Sequence, residues 1–157
     1  MKKYDIVAMG GTFDLIHKGH LKLLSEAFSI STKVIIGLTS DELALKKGKQ
    51  PLNKFEKRLD TLKKIIDKNF PNHSFEISKL NNDFGPAVLE KSVQALIVSD
   101  ETSNQGEVLN NLRKSKNMSL VDVVVVPMIL AQDGKRISTT RIKSNEIDSD
   151  GNLLSID

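Results

Sequence analysis

The chain has 157 residues, 39% of them hydrophobic and 27% charged, with a net charge of +3. These proportions fit a globular protein able to bury a sizeable core, and no apolar run approaches a membrane span. The absence of cysteine excludes disulfides, thiolate nucleophiles and cysteine-ligated metals.

Met1-Lys2-Lys3 leads into an apolar run, so the start reads as a first strand and not as a signal peptide. A cytoplasmic location is expected. Residues 4–9 form that strand, apolar enough to be buried on both faces, as in a parallel sheet. Residues 10–20 read G-G-T-F-D-L-I-H-K-G-H and turn into a first helix over 18–29. Leu21, Leu24, Ala27 and Phe28 share its apolar face. Residues 33–38 make the second strand and complete a βαβ unit. The polar segment after it, with Gly48 and Pro51, reads as a mobile loop.

Asn53 is expected to cap the next helix, with Glu56 completing a capping box. Phe55, Leu59, Leu62 and Ile66 lie on one face of it, and Pro71 ends it. Further on, the patterns predict a strand over 73–77, a short helix over 86–90 and a strand over 95–99. A helix over 104–114 and a β-branched strand over 121–126 follow. A last helix covers 138–144, and the tail from Asp148 is turn-like. Strands alternate with helices without repeats or a dividing linker. The expected fold is therefore α/β: one domain over residues 1–157, three layers deep, around a five-stranded parallel sheet. Right-handed crossovers would bring the turn at 10–20, the polar loop from Thr39, the segment from Ser99 and the stretch before Ser138 to one rim, where such sheets bind ligands.

The glycine turn is the chief candidate site. Gly10 and Gly11 would let the backbone take positive φ and approach a ligand. Their spacing matches neither G-x-G-x-x-G nor G-x-x-x-x-G-K-[ST]. His17 and His20 share a face on the first helical turn, Gly19 leaves that face open, and the helix dipole adds to it. A cationic, hydrogen-bonding cradle for phosphate is expected there. A zinc site would need a third ligand, and the remaining histidine, His73, stands at a strand entrance. No protein-bound metal is expected. The tail D-S-D-G-N lacks the other ligands of a calcium loop and reads as a turn.

Among 23 basic residues only Arg58, Arg113, Arg136 and Arg141 are arginine, whose fork suits bidentate phosphate contacts; surface placement is the alternative. The basic residues form no dense cluster, and the chain has one tyrosine and no tryptophan. Nucleic acid is therefore not an expected partner, and neither is a membrane.

G-T-F-D-L-I-H-K-G-H with a late I-S-T-T-R-I resembles the nucleotidyltransferase superfamily that carries the H-x-G-H motif. Within it, I-G-L-T-S-D-E, E-K-R-L, V-S-D-E-T, V-V-V-P-M-I and the closing E-I-D-S-D-G-N resemble the archaeal-type phosphopantetheine adenylyltransferases, motif by motif along nearly the whole chain. The resemblance implies a Rossmann-like fold and a reaction of ATP with 4′-phosphopantetheine to give dephospho-coenzyme A and pyrophosphate, with Mg²⁺ carried on the ATP phosphates. It implies that His17 and His20 face those phosphates, with His20 stabilising the transition state. Thr12 would bridge the acceptor and α-phosphates, and Gly10, Gly11, Phe13 and Asp14 would shape the turn, Asp14 as a structural residue. Lys46, Lys47 and Lys49 lie where relatives use a basic loop to reach phosphate, and Arg58 where they often turn an arginine to substrate. Ser99, Asp100 and Glu101 would border the nucleotide, and Ile137, Ser138, Thr139, Thr140 and Arg141 its outer phosphates.

In-line transfer to an already ionised phosphate needs neither a covalent nucleophile nor a general base, so the missing cysteine and missing Ser–His–Asp set agree with this chemistry. Glycerol-3-phosphate cytidylyltransferases share the first motif but usually carry R-T-x-G before I-S-T-T, where this chain has D-G-K-R. Archaeal flavin adenylyltransferases generally have C-terminal cysteines, absent here. A non-catalytic nucleotide-binding module would not need the full set His17, His20, Thr12 and Ser138. Self-association is compatible with the sequence but has no motif in it.

Overall fold

The computed structural model describes residues 2–154 except Asp83, 86–91, Glu101, Met128, Arg136, 138–140 and Lys143. In chain order the elements are β1 (Tyr4–Gly11), α1 (Lys18–Ile30), β2 (Ser31–Thr39), α2 (Asp41–Lys46), α3 (Phe55–Asn69), β3 (Ser74–Leu80), β4 (Ala95–Ser99), α4 (Asn104–Ser115) and β5 (Asp122–Val126). The five strands form one sheet in the order β3-β2-β1-β4-β5, with every neighbouring pair parallel.

Period-two alternation divides the strands between two cores. Val7, Met9, Val34, Ile36, Leu38, Ala95 and Ile97 face one side, where they meet Leu24, Ala27 and Phe28 of α1 and Phe55, Leu62 and Ile66 of α3. Ala8, Ile35, Leu96 and Val98 face the other side and pack with Leu109 of α4. The three-layer, Rossmann-like α/β expectation is met. A third, smaller cluster of Ala131, Ile137 and Ile147, flanked by Ile129 and Ile142, gathers the C-terminal segment.

Local departures from expectation have identifiable causes. The supposed loop after β2 contains α2, capped by the Ser40 hydroxyl, which accepts from Leu43 N–H at 3.0 Å. Helix α3 is not capped by Asn53: its N-cap is Lys54, with no side-chain cap bond. The free Phe55 N–H instead donates to the Asp41 carboxylate at 3.1 Å, a cap supplied by another helix. β3 runs on to Leu80, because its pairing with β2 continues to Thr39. The helix expected over 86–90 lies outside the described residues. So does much of the one expected over 138–144, where Arg141 and Ile142 are helical.

Candidate active site

Strand β1 pairs with β2 as far as Gly11, but with β4 only at Val7 and Ala8. Past Ala8 this pairing ends, the position at which an open α/β sheet forms a crevice at its strands' carboxyl ends. The side on which the chain adds strands also switches here, since β2 and β3 lie on one side of β1 and β4 and β5 on the other.

The turn leaving β1 is not built as its sequence suggests. Gly10 and Gly11 are ordinary strand residues, and the positive φ falls on Phe13 at 50°. A non-glycine residue there is strained and must be held by its surroundings. Phe13 is 1% exposed. A Cβ on Gly11 would stand 3.0 Å from the Phe13 ring, so this glycine is needed for close approach. The Asp14 carboxylate accepts from Leu52 N–H at 2.8 Å and Asn53 N–H at 2.9 Å, tying the turn to the approach to α3.

The histidines form a reciprocal cap at the start of α1. His17 is the N-cap, and its Nδ1 accepts from Gly19 N–H at 3.0 Å; His20 Nδ1 accepts from His17 N–H at 3.1 Å. H-x-G-H is thus a histidine version of the capping box. The rings stack with centroids 3.9 Å apart, and the Phe13 ring lies 5.1 Å behind His20. Gly19 does not leave the face open for ligand. It makes room for His17 itself, since a Cβ there would meet the ring at 2.8 Å.

This geometry decides protonation. Each Nδ1 receives a backbone proton, so each neutral ring carries its own proton on Nε2. Burial lowers His17 to about 4. Burial, then the neighbouring His17 and the charge of Lys49, lowers His20 to about 3. The expected cationic cradle is corrected: the imidazoles are neutral donors, and positive charge comes from elsewhere. Nor does the helix present its whole N-terminus, since Lys18 N–H donates to Ser149 C=O at 3.0 Å and Gly19 N–H to His17. Of the loop lysines, Lys49 acts electrostatically on His20. Its own ammonium is depressed by burial and by Lys47. Lys46 closes α2.

A pH dependence of stability follows. Above pH 6.5 the rings are neutral in both folded and unfolded chains. As pH falls, the unfolded chain takes up protons that the folded chain refuses, so stability is lost from about pH 6.5 down through the folded values near 4 and 3. Each ring contributes a slope of about 1.4 kcal/mol per pH unit. Urea midpoints between pH 7 and 5 should therefore fall less steeply in His17→Asn, which keeps a good N-cap. Equal slopes would show that His17 titrates normally.

Arg58 was expected at the acceptor phosphate; the structure turns it inward. It is 1% exposed. Nε donates to Asn53 C=O at 3.0 Å, Nη1 to Thr12 C=O at 2.9 Å and Thr39 C=O at 2.7 Å, and Nη2 to Asp41 at 2.8 Å. The same bond holds the Asp41 carboxyl below its usual range. Arg58 braces the site from behind, joining the β1 turn, the end of β2, α2 and the entry to α3. Sequence reasoning missed Asp41, although its place after Ser40 marked a helix start.

Across the crevice, Ser99 ends β4, and its N–H donates to Thr102 Oγ1 at 3.1 Å, a turn that places Asp100 at its exposed apex. Glu101, Ser138, Thr139 and Thr140 lie outside the described residues. The Ile137 side chain is part of the third core cluster, and its N–H donates to Ile129 C=O at 3.2 Å. Arg141 is engaged by two carboxylates, forking onto Asp133 and donating through Nε to Glu146 at 2.7 Å. The Arg141 fork is therefore spent on protein carboxylates. Arg113, unlike Arg141, is buried, donating through Nε to Ser119 C=O at 2.8 Å.

Among the described residues, no group of three or more His, Asp or Glu side chains is placed to hold a metal. The histidine pair, with Nδ1 occupied and Nε2 protonated, offers donors and no lone pairs. That set suits phosphate oxygens.

Residues 8–145 match the Cytidylyltransferase-like family. The chain is 37% identical over 154 residues to a phosphopantetheine adenylyltransferase of Methanothermobacter thermautotrophicus, covering 98% of this chain and 92% of that protein. It is 43% identical over 150 residues to the phosphopantetheine adenylyltransferase of Methanosarcina barkeri, covering 94% and 91%. Among solved structures, that of a protein with unknown function from Archaeoglobus fulgidus superposes with a TM-score of 0.70 at 29% identity, over 80% of this chain and 89% of that one. The neutral histidine pair at the β1–β4 crevice thus belongs to a chain of the phosphopantetheine adenylyltransferase family, within the cytidylyltransferase-like nucleotidyltransferases.

Proposed function

We propose that the crevice transfers the adenylyl group of ATP to the phosphate of 4′-phosphopantetheine, and that the neutral His17–His20 pair and Lys49 hold the phosphates while it does so. One observation carries this reading: both Nδ1 atoms are consumed by backbone N–H groups, which leaves the Nε2–H donors of two stacked rings at the start of α1, just after the β1 turn. An acceptor phosphate with a second pKa of about 6 is already a nucleophile at neutral pH. Its oxygen attacks the α-phosphorus in line, the new P–O bond forms as the bond to the β-phosphate bridge breaks, and pyrophosphate departs with the electron pair. No proton has to move. Mg²⁺, when bound with the nucleotide, neutralises phosphate charge.

A neutral imidazole anchored at a helix N-terminus is a fixed donor toward developing negative charge and needs no reorganisation. Thr12, held by Arg58 through its carbonyl, follows β1 directly and bridges the acceptor and α-phosphates in this reading. Lys49 adds the positive charge that the imidazoles lack. Ser99 and Asp100 border the nucleotide from β4, and the segment from Ile137 through Arg141 serves the outer phosphates. That last role requires Arg141 to exchange a carboxylate for phosphate. No helix among the described residues is long and apolar enough to cross a membrane. The cytoplasm, where ATP is available, is the compartment we assign.

The reading is tested by supplying ATP or CTP with 4′-phosphopantetheine, glycerol 3-phosphate or FMN and following pyrophosphate. Release with ATP and 4′-phosphopantetheine is expected. Release confined to CTP with glycerol 3-phosphate, or tight ATP binding with no turnover under any pairing, would refute it.

Gly19 gives a sharper check on the histidine geometry. Gly19→Ala gains helix propensity of about 1 kcal/mol. It displaces the His17 ring and so loses a cap worth about the same. Stability should stay within about 1 kcal/mol of the parent while kcat falls at least about tenfold, as expected for misplaced reacting groups. An unchanged kcat would show that the ring stack is dispensable.

A further inference from the structure

The Lys18 N–H, first in α1 and next to His17, is satisfied from the far end of the chain. Its partner, Ser149 C=O at 3.0 Å, stands in a turn over residues 148–152. That turn is organised around one carboxylate: Asp148 Oδ1 accepts from Asp150 N–H at 3.0 Å and Asn152 N–H at 2.9 Å, and Oδ2 accepts from Asn152 Nδ2 at 3.2 Å. Main-chain bonds from Gly151 N–H to Asp148 C=O and from Asp148 N–H to Asn152 C=O, both 3.0 Å, close it.

The other side of the turn reaches the segment that leads into Ser138. Gly151, at φ 84°, lies so close to Ile137 and Ala131 that a Cβ would stand 2.7 Å from Ile137 Cδ1 and 3.0 Å from Ala131 Cα. Its carbonyl accepts from Gln132 N–H at 2.7 Å, and Leu153 N–H donates to Gln132 Oε1 at 2.9 Å. One turn of five residues therefore grips both the entry to the histidine helix and the residue from which the chain enters 138–140.

We infer that the 148–152 turn, organised by Asp148, is a positioning clamp that fixes the H-x-G-H pair relative to the Ile137 end of the I-S-T-T segment. The inference rests on the adenylyl-transfer reading and adds a residue to it that touches no substrate. The bond from Ser149 orients the first turn of α1, on which the reciprocal histidine cap is built. Seating Gly151 against Ile137 holds the start of the I-S-T-T segment. Loosening the turn lets the start of α1 and Ile137 move independently, and misplacement of reacting groups by about 1 Å costs on the order of a hundredfold in rate.

The test uses the full chain with Asp148→Ala, Asp148→Asn and Asn152→Ala, each checked for native circular dichroism. In Asp148→Ala, kcat for pyrophosphate release from ATP and 4′-phosphopantetheine should fall by about tenfold to a hundredfold, with KM for ATP changed by less than about threefold. Asp148→Asn keeps an oxygen for the two backbone donors and should restore most of the rate. The ring ¹⁵N signals of His17 and His20, read without substrate, should shift in Asp148→Ala and return toward the parent in Asp148→Asn. A folded Asp148→Ala with parental kcat, or with unmoved histidine signals, overturns the clamp. If Asp148→Ala does not fold, Asn152→Ala, which removes only the Nδ2 bond, must still move the histidine signals or the clamp fails. A parent chain with no turnover would refute the adenylyl-transfer reading, while the ¹⁵N comparison would still decide the clamp.

Discussion

Arg58→Ala is expected to destabilise the fold by about 3–5 kcal/mol, since three carbonyls away from bulk water each lose a donor at about 1–3 kcal/mol. The loss comes mainly from the carbonyls of Thr12, Thr39 and Asn53, which give up their donor where water has little access. Asp41 contributes less, because its side chain keeps 41% of its surface exposed and water can replace the guanidinium. Arg58→Lys should recover little, since a single ammonium cannot meet acceptors spread around a planar fork. Urea unfolding with an unchanged m-value checks this. A loss below about 1 kcal/mol would mean the carbonyls find other partners, since one unmade buried bond alone costs about that much. Activity should fall as well, because the bond to Thr12 C=O helps hold Phe13 at its positive φ.

How much of this was legible in the sequence varies with the range of the interaction. The strands were readable because β-branched runs such as V-V-V-V have few other uses, and the α1 and α3 faces because 3.6-residue spacing survives into packing. Helix α2 went unread because Gly48 and Pro51 dominated a short segment, although Ser40 followed by Asp41 and Glu42 is a helix start. The α3 cap could not be read locally. Its acceptor is Asp41, fourteen positions upstream and delivered by the fold. Arg58 shows the same limit at the site: the family resemblance turned it toward substrate, but its acceptors lie in the turn after β1, at the end of β2, on α2 and at the entry to α3, and only their assembly decides that it points inward. The histidines were placed on one face correctly. Their electrostatics were inverted, because charge depended on what each Nδ1 does. A cap residue at 17 with a partner three positions on is the capping-box pattern in unfamiliar residues, and that was the signal available.

The strongest functional consequence concerns His20, whose two nitrogens have separate duties. Nδ1 accepts from His17 N–H; Nε2–H is the group that we propose binds phosphate. Asparagine reproduces the first and omits the second, since its Oδ1 falls near the position of Nδ1 and nothing reaches as far as Nε2. His20→Asn should therefore keep the cap and most of the stability while lowering kcat by about 10²–10³, the loss typical of one preorganised donor at developing charge. KM for ATP should change little, because an interaction made chiefly in the transition state leaves ground-state binding alone. His20→Gln, which carries an amide donor near the Nε2 position but loses the cap acceptor, should show the opposite balance of lower stability and a smaller loss of kcat. Parallel measurement on His17→Asn then divides the roles. If His17→Asn raises KM while His20→Asn lowers kcat, His17 binds the departing phosphates and His20 serves the reacting phosphorus. The reverse pattern would exchange them. Parental kcat in His20→Asn would remove His20 from the reacting phosphorus and leave Lys49 and the bound cation to stabilise the charge.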